Sequence, residues 1–98
     1  PDDMMSILEA WTEHFEQKLK FPFEVIVRER LRPGRITVGD RLILTGLSEL
    51  EDDIYGLLAE GKRRHEQVVF PLCDLEVTDK QSPNYQPIRD YVVWFANR

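Results

Sequence analysis

Cysteine is almost missing from this chain: Cys73 stands alone among 98 residues. A single thiol allows no intrachain disulfide and no zinc site built on several thiolates. That scarcity suits a reducing compartment, so the expected location is cytoplasmic. Histidine is scarce as well. His14 and His65 lie far apart, with no second His or Cys at ligand spacing, which argues against a standard zinc centre. No apolar run reaches the roughly 18 residues that a membrane span needs. The opening Pro1-Asp2-Asp3 lacks the basic-then-apolar pattern of a signal peptide. Glycines number five and are scattered, so there is no phosphate-cradling loop. Ser6, Ser48 and Ser82 have no nucleophile-elbow context. Cys73 follows an apolar run and reads as core. The chain has no recognisable catalytic constellation, and no enzymatic activity is expected.

Positive charge is in deficit: 13 basic residues face 18 acidic ones, a net charge of −5. Non-specific nucleic-acid binding needs clustered Lys and Arg and is disfavoured. Cation binding is compatible with this balance. The length is that of one domain. The hydrophobic fraction of 42%, with 10% aromatics, is that of a folded protein with a modest core.

The patterning predicts helix, five short strands, helix. Met4, Leu8, Trp11, Phe15 and Leu19 recur at steps of four and three, which puts them on one face of a helix over 3–19. Asp2 or Asp3 can cap it, and Pro22 stops it. Phe23, Val25 and Val27 alternate with Glu24, Ile26 and Arg28 as a first strand. Residues 29–40 form a long Arg-rich loop with a Pro33-Gly34 turn. Strands are expected at 41–47, 54–60, 63–70 and 75–78, with a hairpin turn at Gly61. Pro71 to Asp74 suits one turn of 3₁₀ helix. Ser82 or Asn84 can cap a last helix to about Ala96, whose stripe is Ile88, Tyr91, Val92 and Phe95. A long first loop, a central hairpin and a 3₁₀ turn before the last strand describe an α+β fold. Its core is a small five-stranded SH3-like barrel that closing would rid of edges.

Chemistry-bearing side chains are few. Glu49, Glu51, Asp52 and Asp53 form an acidic stretch expected to be a loop. Calcium takes six to eight oxygen ligands and suits such carboxylates. The residues alone favour a solvated loop, and the run lacks the spacing of a twelve-residue EF-hand loop. Asp74, Glu76 and Asp79 form a second acidic group, with Asp74 read first as a cap of the turn after Pro71. Asp40 is read as a turn residue. Arg30, Arg32, Arg35 and Arg41, and Lys62, Arg63, Arg64 and His65, make two basic groups. Pairing with the chain's own carboxylates is the expectation for both. The aromatics Trp11, Phe15, Phe21, Phe23, Tyr91, Trp94 and Phe95 are expected to pack helices onto the sheet, with Trp94 off the stripe as a surface contact.

Three segments stand in a telling order: Lys20-Phe21-Pro22-Phe23, Phe70-Pro71-Leu72-Cys73-Asp74-Leu75-Glu76, and Asp90-Tyr91-Val92-Val93-Trp94. With the Trp11-bearing first helix, they resemble the cyanobacterial calcium-binding protein family, the CcbP-like proteins, over nearly the whole chain. The resemblance implies a calcium-binding protein that uses negative surface charge, with Glu49, Glu51, Asp52 and Asp53 as the ligand set and Ca²⁺ held weakly at the surface. A rival reading is a metal-free SH3-like interaction module whose protein partner meets Arg30, Arg32, Arg35 and Trp94.

Overall fold

A computed structural model describes residues 3–30 and 34–98. Asp2, Arg32 and Pro33, named above as a cap, a loop cation and a turn residue, lie outside these. Helix α1 spans Met4–Lys18. Asp3 is its N-cap, and its carboxylate accepts from the Ser6 N–H at 2.8 Å. That bond holds the Asp3 carboxyl below its ordinary value. The chain turns extended at Leu19, ahead of Pro22. The predicted face is the face that packs: Leu8, Phe15 and Leu19 are buried, and Met4 and Trp11 pack partly buried against them.

Five strands follow: β1 (Phe23–Val27), β2 (Arg41–Asp52), β3 (Gly56–Arg63), β4 (Glu66–Pro71) and β5 (Leu75–Val77). A 3₁₀ turn, Leu72–Asp74, joins β4 to β5 as expected. The antiparallel sheet has the order β4-β3-β2-β1-β5. The ladder is open, because β4 and β5 are its two edges and do not pair with each other. Val25 and Val27 of β1, Leu42 and Leu44 of β2, and Leu57 and Ala59 of β3 point into one core.

Helix α2 spans Tyr85–Ala96. Its buried stripe is Ile88, Tyr91 and Phe95, with Val92 partly buried. Asn84 occupies the N-cap position, but its side chain does not cap. It is buried and grips the backbone of Lys20 instead, accepting from the N–H at 2.7 Å and donating to the C=O at 3.2 Å. One amide thus ties the end of α1 to the start of α2. The helices meet through aromatic rings, with Tyr91 edge-on to Trp11 at 5.3 Å and to Phe15 at 5.6 Å. Trp94 is not a free surface contact: it is partly buried and stacks near Trp11 at 5.7 Å.

The boundaries of three strands differ from the sequence reading: β3 is Gly56–Arg63 rather than 54–60, β4 starts at Glu66 rather than 63, and β2 is longer. β2 runs five residues beyond Leu47, through the acidic stretch to Asp52. The sheet slips register between Leu44 and Gly46 and again between Leu47 and Glu51. Such bulges let a long strand bend while its backbone keeps a partner, so apolar alternation stops before the strand does. Gly61 is not the hairpin turn. It lies inside β3, where an added Cβ would stand 2.4 Å from the Ile43 carbonyl oxygen. The glycine permits a close strand approach, and the turn falls at Arg64-His65.

A candidate metal centre at the acidic hairpin

The β2–β3 hairpin carries Glu49, Glu51, Asp52 and Asp53 at its far end, the first three in β2 and Asp53 in the turn. Glu51 opposes Leu57, and Asp52 opposes Gly56. The acids are therefore on a paired strand end and a tight turn, a stiffer place than the expected loop.

Each of the four is set differently. Glu49 and Asp53 are exposed. Asp52 shapes the turn, its Oδ1 accepting from the N–H groups of Ile54 at 2.7 Å and Tyr55 at 2.9 Å. Glu51 is half-buried, and its Oε2 is cut off from solvent with no hydrogen-bond partner among the described residues. A buried carboxylate oxygen without a donor is costly, and native structures generally supply a donor, a water or an ion.

Helix α2 and the 3₁₀ turn hold this hairpin from beneath. The Leu57 N–H donates to the Tyr91 hydroxyl oxygen at 2.9 Å. Burial pushes the Tyr91 phenol above its ordinary value, and the neighbouring Cys73 and Glu51 add to the effect. Gly56, at φ +71°, lies where a Cβ would come within 2.4 Å of the Tyr91 hydroxyl and 2.6 Å of the Phe95 ring. Arg98 donates to the Ile54 carbonyl at 3.3 Å and stacks on Phe95 with its guanidinium carbon 3.5 Å from the ring centre. The Cys73 thiol points at the Tyr55 carbonyl, 3.7 Å away, and burial pushes it up to about 12, with the Asp74 carboxylate reinforcing the shift. That thiol is a packing group, as expected.

Gly56, Tyr91 and Arg98 were not singled out by the sequence as parts of a site. Tyr91 was read as core only. Its hydroxyl was the missed signal, because a buried tyrosine oxygen needs a partner. Gly56 had a signal too, a glycine directly after an acidic turn.

The second acidic group separates, and the Asp79 carboxylate accepts from the Gln81 N–H at 2.9 Å in its own turn. Asp74 is buried at 3% exposure, with the Cys73 thiol 3.6 Å from its Oδ1. Burial raises its carboxyl above the ordinary value. Glu76 pairs with Arg28 and accepts from the Tyr85 hydroxyl at 3.2 Å, which together hold its carboxyl low. Arg41 pairs with Glu24 at 3.0 Å and Arg35 with Glu66, so self-pairing accounts for part of the basic groups. Arg30 stacks on Phe70 at 4.6 Å.

Oxygen-only donors and one orphaned carboxylate oxygen fit the chemistry of Ca²⁺. Among the described residues no three Asp, Glu, His or Cys side chains stand together closely enough to hold an ion by themselves. An ion here would keep much of its water.

The model of a family described as calcium binding, CcbP, matches residues 2–95. The chain belongs to the CcbP calcium-binding family. Membership assigns Ca²⁺ as the ion of interest and agrees with the resemblance carried by the aromatic and proline motifs. Two solved structures share the fold. One is described as a calcium-binding protein in the calcium-binding form, with a TM-score of 0.77 and 18% identity over 98% of this chain and 79% of that one. The other is the crystal structure of Anabaena CcbP, with a TM-score of 0.74 and 18% identity over 97% of this chain and 78% of that one. No curated protein matches the chain by sequence. The CcbP likeness bears out the α+β fold of two helices and a five-stranded antiparallel sheet.

Proposed function

We propose that this CcbP-family chain binds Ca²⁺ at the end of the β2–β3 hairpin and acts as a low-affinity buffer in a reducing, cytoplasmic setting. The observation that carries the reading is the buried, unpartnered Oε2 of Glu51. Glu51 is the anchoring donor. The exposed carboxylates of Glu49 and Asp53 approach from the solvent side. Asp52 contributes chiefly by fixing the turn through Ile54 and Tyr55. Water fills the remaining positions, because calcium needs more oxygens than these side chains bring together.

Partly hydrated sites of this kind hold calcium with a Kd on the order of 10⁻⁴ to 10⁻³ M. Such affinity is far weaker than the roughly 10⁻⁹–10⁻⁸ M of dedicated cytosolic buffers, so the site fills only when calcium rises toward millimolar levels and buffers such loads rather than sensing small ones. A ligand bound only by the folded state raises stability by about 1.4 kcal/mol at ten times Kd. For a domain of this size that is a rise in Tm of roughly 5–10 °C. Thermal melts with 10 mM CaCl₂ and with 10 mM MgCl₂ test the proposal. A calcium-specific rise that Glu51→Gln removes supports it. A melt that calcium leaves unchanged defeats it.

A further inference from the structure

The other end of β3 carries the opposite charge. β3 leaves the acidic hairpin at Gly56 and ends at Arg63, so about 25 Å of strand separates the two tips. A two-residue turn, Arg64-His65, leads on to β4. Arg35, from the loop before β2, comes alongside. With Arg63, Arg64, His65 and Glu66 it lines a cavity of about 380 Å³.

The cleft is partly pre-built. The Arg63 guanidinium donates to the Arg35 carbonyl at 2.9 Å and lies 3.5 Å from the Asp40 carboxylate. Its side chain is only 29% exposed, so it is held in place. Arg35 pairs with Glu66 at an exposed position. An exposed pair of this kind is worth little and is exchanged for a stronger anion at small cost. Arg64 and His65 are exposed and make no ion pair among the described residues.

Arg64 also sits in the wrong backbone region for its type. Its φ is +57°, the one non-glycine positive value among the described residues. Tight hairpin turns need such angles and normally fill them with Gly, Asn or Asp at lower cost. Among the described residues no hydrogen bond, ion pair or ring contact holds the Arg64 side chain. In a chain with net charge −5, three arginines against Asp40 and Glu66 make a local inversion of sign.

We propose that this cleft binds a soluble, multiply charged phosphate group, of the di- or triphosphate class, independently of calcium. Guanidinium forks match phosphate oxygens in geometry and charge. A multiply charged anion is needed to draw Arg35 away from Glu66. Among the described residues no Phe, Tyr or Trp lines the cleft, so recognition is assigned to the phosphates rather than to a base stacked on a large aromatic ring.

Calorimetry with inorganic pyrophosphate on calcium-free protein at low salt tests this. The expected result is saturable binding that weakens as salt rises. Arg64→Gly should leave Tm unchanged or higher, since the turn is relieved, and should weaken pyrophosphate binding about fivefold or more. Arg63→Gln should weaken it similarly while calcium binding stays intact. Three results overturn the proposal: no saturable heat at millimolar pyrophosphate, unchanged affinity in Arg64→Gly, or binding to phosphatidylglycerol vesicles that pyrophosphate does not compete. The last would give the hairpin to a membrane surface.

Discussion

Gly56 stands where the acidic hairpin meets helix α2, and it has both reasons a glycine can have. Its φ of +71° is poorly suited to other residues, and a Cβ would collide with Tyr91 and Phe95. The obstacles, the Tyr91 hydroxyl and the edge of the Phe95 ring, belong to buried side chains with little room to move. Gly56→Ala should therefore cost about 2–4 kcal/mol in urea unfolding. A loss under ~0.5 kcal/mol would show that α2 yields easily. Asp74 makes a prediction of the opposite sign. Burial raises its folded pKa, the Cys73 thiol lowers it, Glu29 raises it and Arg30 lowers it, with a net rise. A carboxyl whose pKa is raised on folding binds more protons in the folded state. It therefore costs stability as pH rises above its unfolded value of 3.8. Asp74→Asn should be more stable than the parent protein at pH 7, and the difference should vanish near pH 3, where both side chains are neutral. Chemical denaturation at the two pH values reads this directly, and a variant less stable at pH 7 would assign the charged form a structural partner.

At the scale of elements, the two helices were readable and the acidic strand end was not. The stripes Met4-Leu8-Trp11-Phe15-Leu19 and Ile88-Tyr91-Val92-Phe95 packed as their spacing required, because a helix face is written in local periodicity. The end of β2 is written elsewhere. Glu51 and Asp52 are strand because Leu57 and Gly56 lie opposite them across a slipped register, and no local pattern announces a long-range partner. Gly61 misled for a related reason: its role is the approach of Ile43 from the neighbouring strand, not a turn. Asn84 was read as a cap and serves as a tie to Lys20. Asn84→Ala removes both bonds to the Lys20 backbone and leaves a gap at a buried position, at a cost of about 1–3 kcal/mol. Tyr91→Phe tests how α2 holds the hairpin. It strips the acceptor from the Leu57 N–H and should cost about 1–3 kcal/mol. It should also weaken calcium binding, since Leu57, the residue paired with Glu51 across the hairpin, loses its support. Full calcium affinity in a destabilised Tyr91→Phe would uncouple the hairpin from α2.

Across the whole molecule, one sheet joins two charged tips. The acidic tip is the β2–β3 hairpin, the basic tip is the β3–β4 turn, and β3 connects them. Two of the described ion pairs, Arg35–Glu66 and Arg63–Asp40, lie at the basic tip, while Arg28–Glu76 and Arg41–Glu24 lie elsewhere. All are at least partly exposed, so global stability should respond little to salt while ligand binding at either tip responds strongly. The acidic tip was visible in the sequence as a run of carboxylates, and its calcium reading came from family resemblance. Its internal order was not visible. That the Oε2 of Glu51 is cut off and unpartnered among the described residues, Asp52 is spent on the turn, and Glu49 and Asp53 are left to solvent depends on the second bulge and the turn it leads into. The most direct measurement is a calorimetric calcium titration of the parent protein, of Glu51→Gln, and of Glu49→Gln/Asp53→Asn. The expected result is millimolar or sub-millimolar binding in the parent, about tenfold weaker binding in Glu51→Gln, and a smaller loss in the exposed double variant. Equal heats in the parent and Glu51→Gln would contradict the assignment of calcium to this hairpin.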